Sequence, residues 1–161
     1  MKWGEVCEDK TLQDLPYKVE LDKWGNITMT PASNKHGHIQ TLIAFLLMDS
    51  KKSGKVLTEC SVQTSRGVKV ADVAWCSDDF YKENRLDTPY LQAPELCVEI
   101  KSPSNSEEEM LEKRDLYFSK GAKEFWICDE DGNLKFYDYK GEMQNSMLFV
   151  DFTKKIDINA Y

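Results

Sequence analysis

Three charged residues interrupt apolar runs in this sequence and could together do chemistry. Glu99 and Lys101 flank Ile100 within residues 96–101, and Asp72 lies inside a second apolar run at residues 70–75. Alternate side chains of a β-strand face the same side, so Glu99 and Lys101 are predicted to share one face. Because unpaired buried charge is costly, each of these groups needs an ion-pair partner or a ligand.

The chemistry that fits these residue types is hydrolysis of a phosphodiester. Two carboxylates supply the hard oxygen ligands that Mg²⁺ or Mn²⁺ prefers, and such an ion can acidify a bound water. An ammonium beside that water, from Lys101, could stabilise the transition state. A structural ion pair of Lys101 with Glu99 or Asp72 explains the same pattern, and periodicity does not separate the two interpretations.

The elements before Asp72 are predicted from alternation and helical spacing. Residues 17–21 and 27–30 form a predicted hairpin, and a helix follows with Ser33 or Asn34 as its cap. Residues 55–63 and 67–76 form a second hairpin, and Asp72 lies on its second strand.

The elements after Asp72 complete a predicted α/β domain with a mixed sheet and flanking helices. Residues 77–92 are polar and lack periodicity, which is typical of a lid-like loop. The strand at 96–101 stops at Pro103, and a helix capped by Ser104 or Ser106 follows and ends at Gly121. Residues 124–128 and 134–137 form a C-terminal hairpin, and residues 147–152 are predicted to form a further strand. We expect one domain over residues 1–161.

Composition narrows the possible functions. The net charge of −7 opposes general binding to a polyanion such as DNA, so any nucleic-acid face must be local. Five widely spaced cysteines indicate neither a disulfide framework nor a zinc site. The sequence has no signal-peptide pattern and no apolar run long enough for a membrane helix, so we expect a cytoplasmic protein without membrane contact.

The order and spacing of these motifs resemble a known nuclease family. Asp72 followed by Glu99, Ile100 and Lys101 resembles the PD-(D/E)xK nuclease signature. The flanking segments are similar to the bacterial Uma-two family of restriction endonucleases: residues 15–21, 28–33 and 36–40 resemble its opening, and residues 99–104 with Lys113, Tyr117, Gly121 and residues 124–126 resemble its second half. The likeness covers roughly residues 12–138, in the family's order.

The resemblance implies a restriction-endonuclease-like fold, with a central mixed β-sheet, flanking helices and N-terminal and C-terminal hairpins. It implies Asp72 and Glu99 as ligands of Mg²⁺ or Mn²⁺, with the main-chain carbonyl of Ile100 as a further ligand, and Lys101 as the catalytic lysine. Ala71 stands where the signature usually has proline. That departure weakens the motif's specificity, but the chemistry of the charged residues is unaffected.

Two further residues enter the candidate site through the resemblance. Glu20 matches an acidic residue that some members of the superfamily add from the N-terminal element, and His36 matches the family's helix-start histidine, although His38 lies close by. Glu20 could equally be a solvent-facing strand residue, and His36 a polar residue of the helix cap. Lys113 could reach a phosphate or be a solvated lysine.

The leading hypothesis is therefore a Mg²⁺-dependent endonuclease that hydrolyses DNA phosphodiesters with a metal-activated water. We expect a homodimer, because cutting two strands needs two sites. A second hypothesis is a catalytically silent nuclease-fold module that binds a protein partner through its acidic surface. A third is a hydrolase of another phosphodiester, such as a nucleotide.

Overall fold

The computed structural model describes residues 1–160 as helices, strands and connecting segments, and the predicted domain's last residue, Tyr161, lies outside the described residues. In chain order the elements are α1 (Trp3–Glu8), a 3₁₀ turn (Lys10–Leu12), β1 (Tyr17–Leu21), β2 (Ile27–Pro31), α2 (Asn34–Ser50), β3 (Lys55–Thr64), β4 (Gly67–Cys76), α3 (Asp78–Asn84), β5 (Leu96–Ile100), α4 (Glu107–Ser119), β6 (Glu124–Cys128), β7 (Leu134–Asp138) and β8 (Gly141–Met143).

The strands of the described chain form a mixed central sheet and a separate hairpin. Over residues 1–160 the central sheet has six strands in the order β3-β4-β5-β6-β7-β8, and β1 pairs with β2. β5 and β6 run parallel, with Leu96 opposite Glu124, whereas the other neighbours are antiparallel. The predicted mixed sheet with flanking helices and hairpins at both ends is confirmed.

The two long helices begin where the sequence predicts. Ser33 accepts a hydrogen bond from the His36 amide at 3.1 Å and caps α2. Ser106 caps α4, and Glu109 completes a capping box, so two otherwise unpaired amides at the helix start are satisfied.

These helices cover opposite faces of the central sheet. Ile39, Ile43 and Leu47 of α2 pack with Val98 on one face. On the other face, α4 packs with Cys97, Phe125 and Ile127, through Met110 and Tyr117. Cys97 and Glu99 alternate with Val98 along β5, so the carboxylate of Glu99 points to the α4 side.

The β1–β2 hairpin packs against the β3–β4 turn at a glycine that tolerates no side chain. Gly67 has φ of +90°, and a Cβ there would lie 2.2 Å from the Leu21 carbonyl oxygen. The close approach allows Leu21 and Val68 to share a small cluster with Val6. This packing brings β1 alongside β4, and β1 carries two residues of the site.

Two predicted elements are wrong. Residues 77–92 contain a helix, α3, whose start is capped by Ser77 through a bond from the Phe80 amide at 3.1 Å. Residues 147–152 form turns instead of a strand, because the Met147 and Leu148 amides donate to the buried Glu124 carboxylate and so are not available to a strand partner. Their apolar side chains still reach the core through Phe149 and Phe152, which lie against Trp126.

Among residues 1–160, no helix combines the length and the apolar character required to cross a membrane.

Candidate active site

Asp72 and Glu99 lie beside each other on adjacent central strands. Asp72 precedes Val73 and Glu99 follows Val98. Since Val73 and Val98 are paired in antiparallel strands, β4 and β5 bring the two carboxylates together. Both are buried, with 1% of each residue exposed. The Ile100 amide donates to Asp72 Oδ2 at 2.7 Å, which ties the Asp72 side chain to the end of β5.

A lysine from the hairpin bridges the two carboxylates. Lys18 Nζ lies 2.9 Å from Asp72 Oδ1 and 2.8 Å from Glu99 Oε2, and the Lys18 side chain is 10% exposed. Because bonds between charged partners are the stronger class of hydrogen bond, this bridge holds β1 against the central sheet. The position between the carboxylates therefore favours a cation.

The start of α2 also converges on Asp72. His36 Nε2 lies 3.2 Å from Asp72 Oδ1. Gln40 donates to the main-chain oxygen of Asp72 at 3.0 Å and to Glu59 Oε1 at 2.9 Å. Glu59 has φ of +53°, an unusual conformation for a strand residue, and the β3–β4 ladder has no paired residues between Thr58–Val73 and Cys60–Ala71. The Gln40 amide thus supplies a bond to the strand backbone at Asp72.

Two α4 residues hold Glu99. The Tyr117 hydroxyl donates to Glu99 Oε1 at 3.0 Å, and burial raises the pKa of Tyr117 well above its usual range, which keeps the phenol protonated. Lys113 Nζ lies 3.3 Å from Glu99 Oε2 and 2.9 Å from Glu20 Oε1. Glu20 also accepts from the Val70 amide at 2.8 Å. Glu20 is consequently part of the charged network and is not a solvent-facing strand residue.

The two central carboxylates differ in proton affinity. Burial opposes ionisation of Asp72, but Lys18 and the His36 hydrogen bond outweigh it and hold the pKa of Asp72 well below its usual range. Burial raises the pKa of Glu99, and Lys113 and Lys18 oppose that rise only in part. The hydrogen bond to Asp72 raises the pKa of His36. Of the two carboxylates, Glu99 therefore takes up a proton more readily than Asp72.

Lys101 follows β5 but faces a different partner. Its Nζ lies 3.2 Å from Glu107 Oε2 at the start of α4, and its side chain is 31% exposed. The ammonium groups beside Glu99 come from Lys18 and Lys113. Ile100 lines the same cavity as Asp72 and Glu99. The catalytic role of Lys101 and the carbonyl ligand at Ile100 stay predictions.

The space between these side chains is small and opens toward a larger cleft. The cavity beside the carboxylates is about 30 Å³, somewhat more than the ~10–15 Å³ that a single water needs. An adjoining cleft of about 220 Å³ lies between the hairpin and α4, and both spaces are bounded by Thr30, Asn105 and Lys113. The two spaces share part of their lining, so the cleft borders the inner cavity.

The Asp72–Glu99 pair lies apart from two larger surface depressions of residues 1–160. Among residues 1–160 the buried carboxylates are Asp72, Glu99 and Glu124. Larger surface depressions, of about 540 Å³ and about 730 Å³, are lined by other residues. Within the same range, no group of three or more His, Cys, Asp and Glu side chains is arranged to hold a metal ion. A site that uses two carboxylates and several waters, as Mg²⁺ sites often do, requires less convergence than that.

Sequence reasoning missed two groups of the site. Lys18 was not singled out, although it shares a strand face with Glu20 because the two are separated by one residue. A site role for Glu20 thus implied that Lys18 would face the same way. Tyr117 enters the sequence analysis only through the family resemblance; its ring is buried in the core, and its hydroxyl donates to Glu99.

Comparison with known proteins gives one family match and one similar fold. The family model Uma2, described as "Putative restriction endonuclease", matches residues 9–144. The fold is similar to that in the "Crystal structure of a putative nuclease belonging to DUF820 from Anabaena variabilis", with a TM-score of 0.64 and 19% identity over 74% of this chain and 71% of that chain. A search of curated proteins found no match.

Proposed function

We propose that this chain, which belongs to the Uma2 family, hydrolyses DNA phosphodiester bonds at the Asp72–Glu99 pair. One observation carries the proposal: two buried carboxylates on adjacent strands share a single cation position, which the Lys18 ammonium occupies at 2.9 Å and 2.8 Å. A site of this kind suits a cation held by hard oxygen ligands.

The donor set fits Mg²⁺ or Mn²⁺. Asp72 and Glu99 would hold the ion, and the Ile100 carbonyl is the proposed further ligand. A bound ion of this type would lower the pKa of a water and neutralise charge on the phosphate. The Lys18 ammonium at this position supports the fit, because it shows that both carboxylates are directed at one point.

The chain's own side chains would orient the two carboxylates and place positive charge beside the substrate. His36 holds Asp72 Oδ1, and the Tyr117 hydroxyl holds Glu99 Oε1, so each carboxylate keeps its direction. Glu20 holds Lys113 beside the cleft, where the ammonium could bind a substrate phosphate. Lys101 would have to leave Glu107, a partly exposed pair whose loss costs little.

The proposal is tested with purified protein and supercoiled plasmid DNA in Mg²⁺, in Mn²⁺ and in EDTA. Nicking should require the divalent ion. Asp72→Asn and Glu99→Gln should each reduce it by about 100-fold or more, the scale of losing one group that stabilises a transition state. Asp49→Asn, on the exposed end of α2, is the matched control and should leave nicking unchanged.

Activity that is equal in the Asp72, Glu99 and Asp49 variants would refute the assignment. Lys101→Met tests the lysine separately. If this variant nicks as fast as the parent, Lys101 is not the catalytic lysine, and the assignment of the carboxylate pair is unaffected. If the folded protein hydrolyses no DNA, RNA or nucleotide substrate, the result would favour the catalytically silent module that binds a partner through its acidic surface.

A homodimer is part of the proposal, because a double-strand cut needs two copies of the site. Light scattering of the purified protein should then give twice the 18.6 kDa of the chain. A monomer that only nicks one strand would show that a second copy is not required.

A further inference from the structure

Lys18 occupies the position that the proposed function assigns to a metal ion. Its Nζ is within hydrogen-bond distance of both carboxylates, at 2.9 Å from Asp72 and 2.8 Å from Glu99. Lys113 reaches Glu99 at 3.3 Å but has Glu20 as its shorter partner. Lys18 is thus the ammonium that bridges the pair.

Both charge and space oppose simultaneous binding of a metal ion and the Lys18 ammonium at the pair. Two cations a few ångströms apart repel each other strongly where water is excluded, and the two carboxylates are 1% and 2% exposed at their side chains. The cavity of about 30 Å³ is small for an ion that keeps several waters while Lys18 stays in place.

The origin and length of the Lys18 side chain leave it a route away from the pair. It enters from the β1–β2 hairpin, outside the central sheet, and ends a flexible four-carbon stem. Glu20 lies on the same face of β1 and borders the adjoining cleft. An expelled ammonium therefore has a carboxylate and solvent within its reach, whereas Asp72 is tied to the Ile100 amide.

We propose that Lys18 is a tethered cation that competes with the divalent metal for the Asp72–Glu99 pair, so that metal binding expels its ammonium into the cleft. This inference rests on the proposed function, because it needs the pair to be a metal site. Lys18 holds the hairpin closed without metal, and the metal releases it. The competition lowers the affinity for metal below that of the bare carboxylates.

The first experiment measures Mn²⁺ binding by titration calorimetry. Lys18→Met should bind Mn²⁺ at least tenfold more tightly than the parent. Lys69→Met is the matched control: it loses the same charge from a side chain that is 17% exposed and borders the cleft, with its nearest carboxylate, Glu20, at 4.0 Å. Its affinity should change by less than threefold.

The outcomes separate the inference from the proposed function. Equal affinity in the parent and Lys18→Met, or an equal gain in both lysine variants, overturns the competition and leaves the metal site intact. No binding of millimolar Mn²⁺ by the parent or either variant overturns both.

A second experiment uses the parent protein, so it stands even if Lys18→Met fails to fold. Reductive methylation followed by mass spectrometry gives the reaction rate of each lysine. Mn²⁺ should speed modification of Lys18 at least fivefold relative to Lys52, which has a side chain that is 81% exposed. An unchanged ratio at saturating Mn²⁺ overturns the inference.

Discussion

Asp72→Asn should destabilise the protein without metal, in contrast to what removal of a ligand from a purely catalytic site would do. The carboxylate accepts from the Ile100 amide at 2.7 Å and faces Lys18 and His36 at 2.9 Å and 3.2 Å. An asparagine keeps one acceptor oxygen, but its NH₂ group faces a donor. It also leaves the buried Lys18 with one fewer negative partner.

The size of the effect follows from burial. Breaking a buried ion pair costs about 3–5 kcal/mol, but Lys18 keeps Glu99 as a partner at 2.8 Å, so we expect a smaller loss than this, about 2–3 kcal/mol. In a chain of this length about 1 kcal/mol shifts Tm by roughly 2–4 °C. The Tm should therefore fall by roughly 4–12 °C.

The assay is urea and thermal denaturation at pH 7 in EDTA, with Asp49→Asn as the control. Asp49 pairs with Lys52 at 3.4 Å, but the two side chains are 68% and 81% exposed, so that change should cost less than about 1 kcal/mol. If both variants lose the same stability, burial does not make the Asp72–Lys18 pair important and our reasoning about the site's electrostatics is wrong.

Three other predictions test the surroundings of the site. The hydrogen bond to Asp72 raises the pKa of His36, so the stabilisation by His36 should be full below about pH 6.5 and decrease as the pH rises through the folded pKa. The difference in unfolding free energy between the parent and His36→Asn should therefore shrink from pH 6 to pH 9, and a constant difference would contradict this. Glu124→Gln should cost about 2–4 kcal/mol, because the buried carboxylate accepts four hydrogen bonds, and should speed exchange of the Leu148 amide; normal exchange would show that another contact holds the C-terminal segment. Gly67→Ala should cost more than about 1 kcal/mol in urea denaturation, since a Cβ would lie 2.2 Å from a hairpin carbonyl oxygen, and a smaller loss would mean that the turn can shift.

Local pattern was sufficient to predict most elements that support the site. The alternation in β5 gave Glu99 its face, and the capping box at Ser106 gave the start of α4. α3 was missed because its seven residues include none that is buried, so no apolar periodicity marks it. The 147–152 segment was mistaken for a strand because its apolar residues serve the core while its amides bind Glu124.

By itself the sequence determined that Asp72, Glu99 and Lys101 need partners, because a charged group within an apolar strand is costly to bury alone. Only the tertiary structure decided which partners they have. Lys18 lies 54 and 81 residues from the two carboxylates, and the docked hairpin closes that distance. Lys101, two residues from Glu99, turns to Glu107 instead. Strand alternation fixes the face of a side chain, but which opposite charge it meets depends on packing between distant elements.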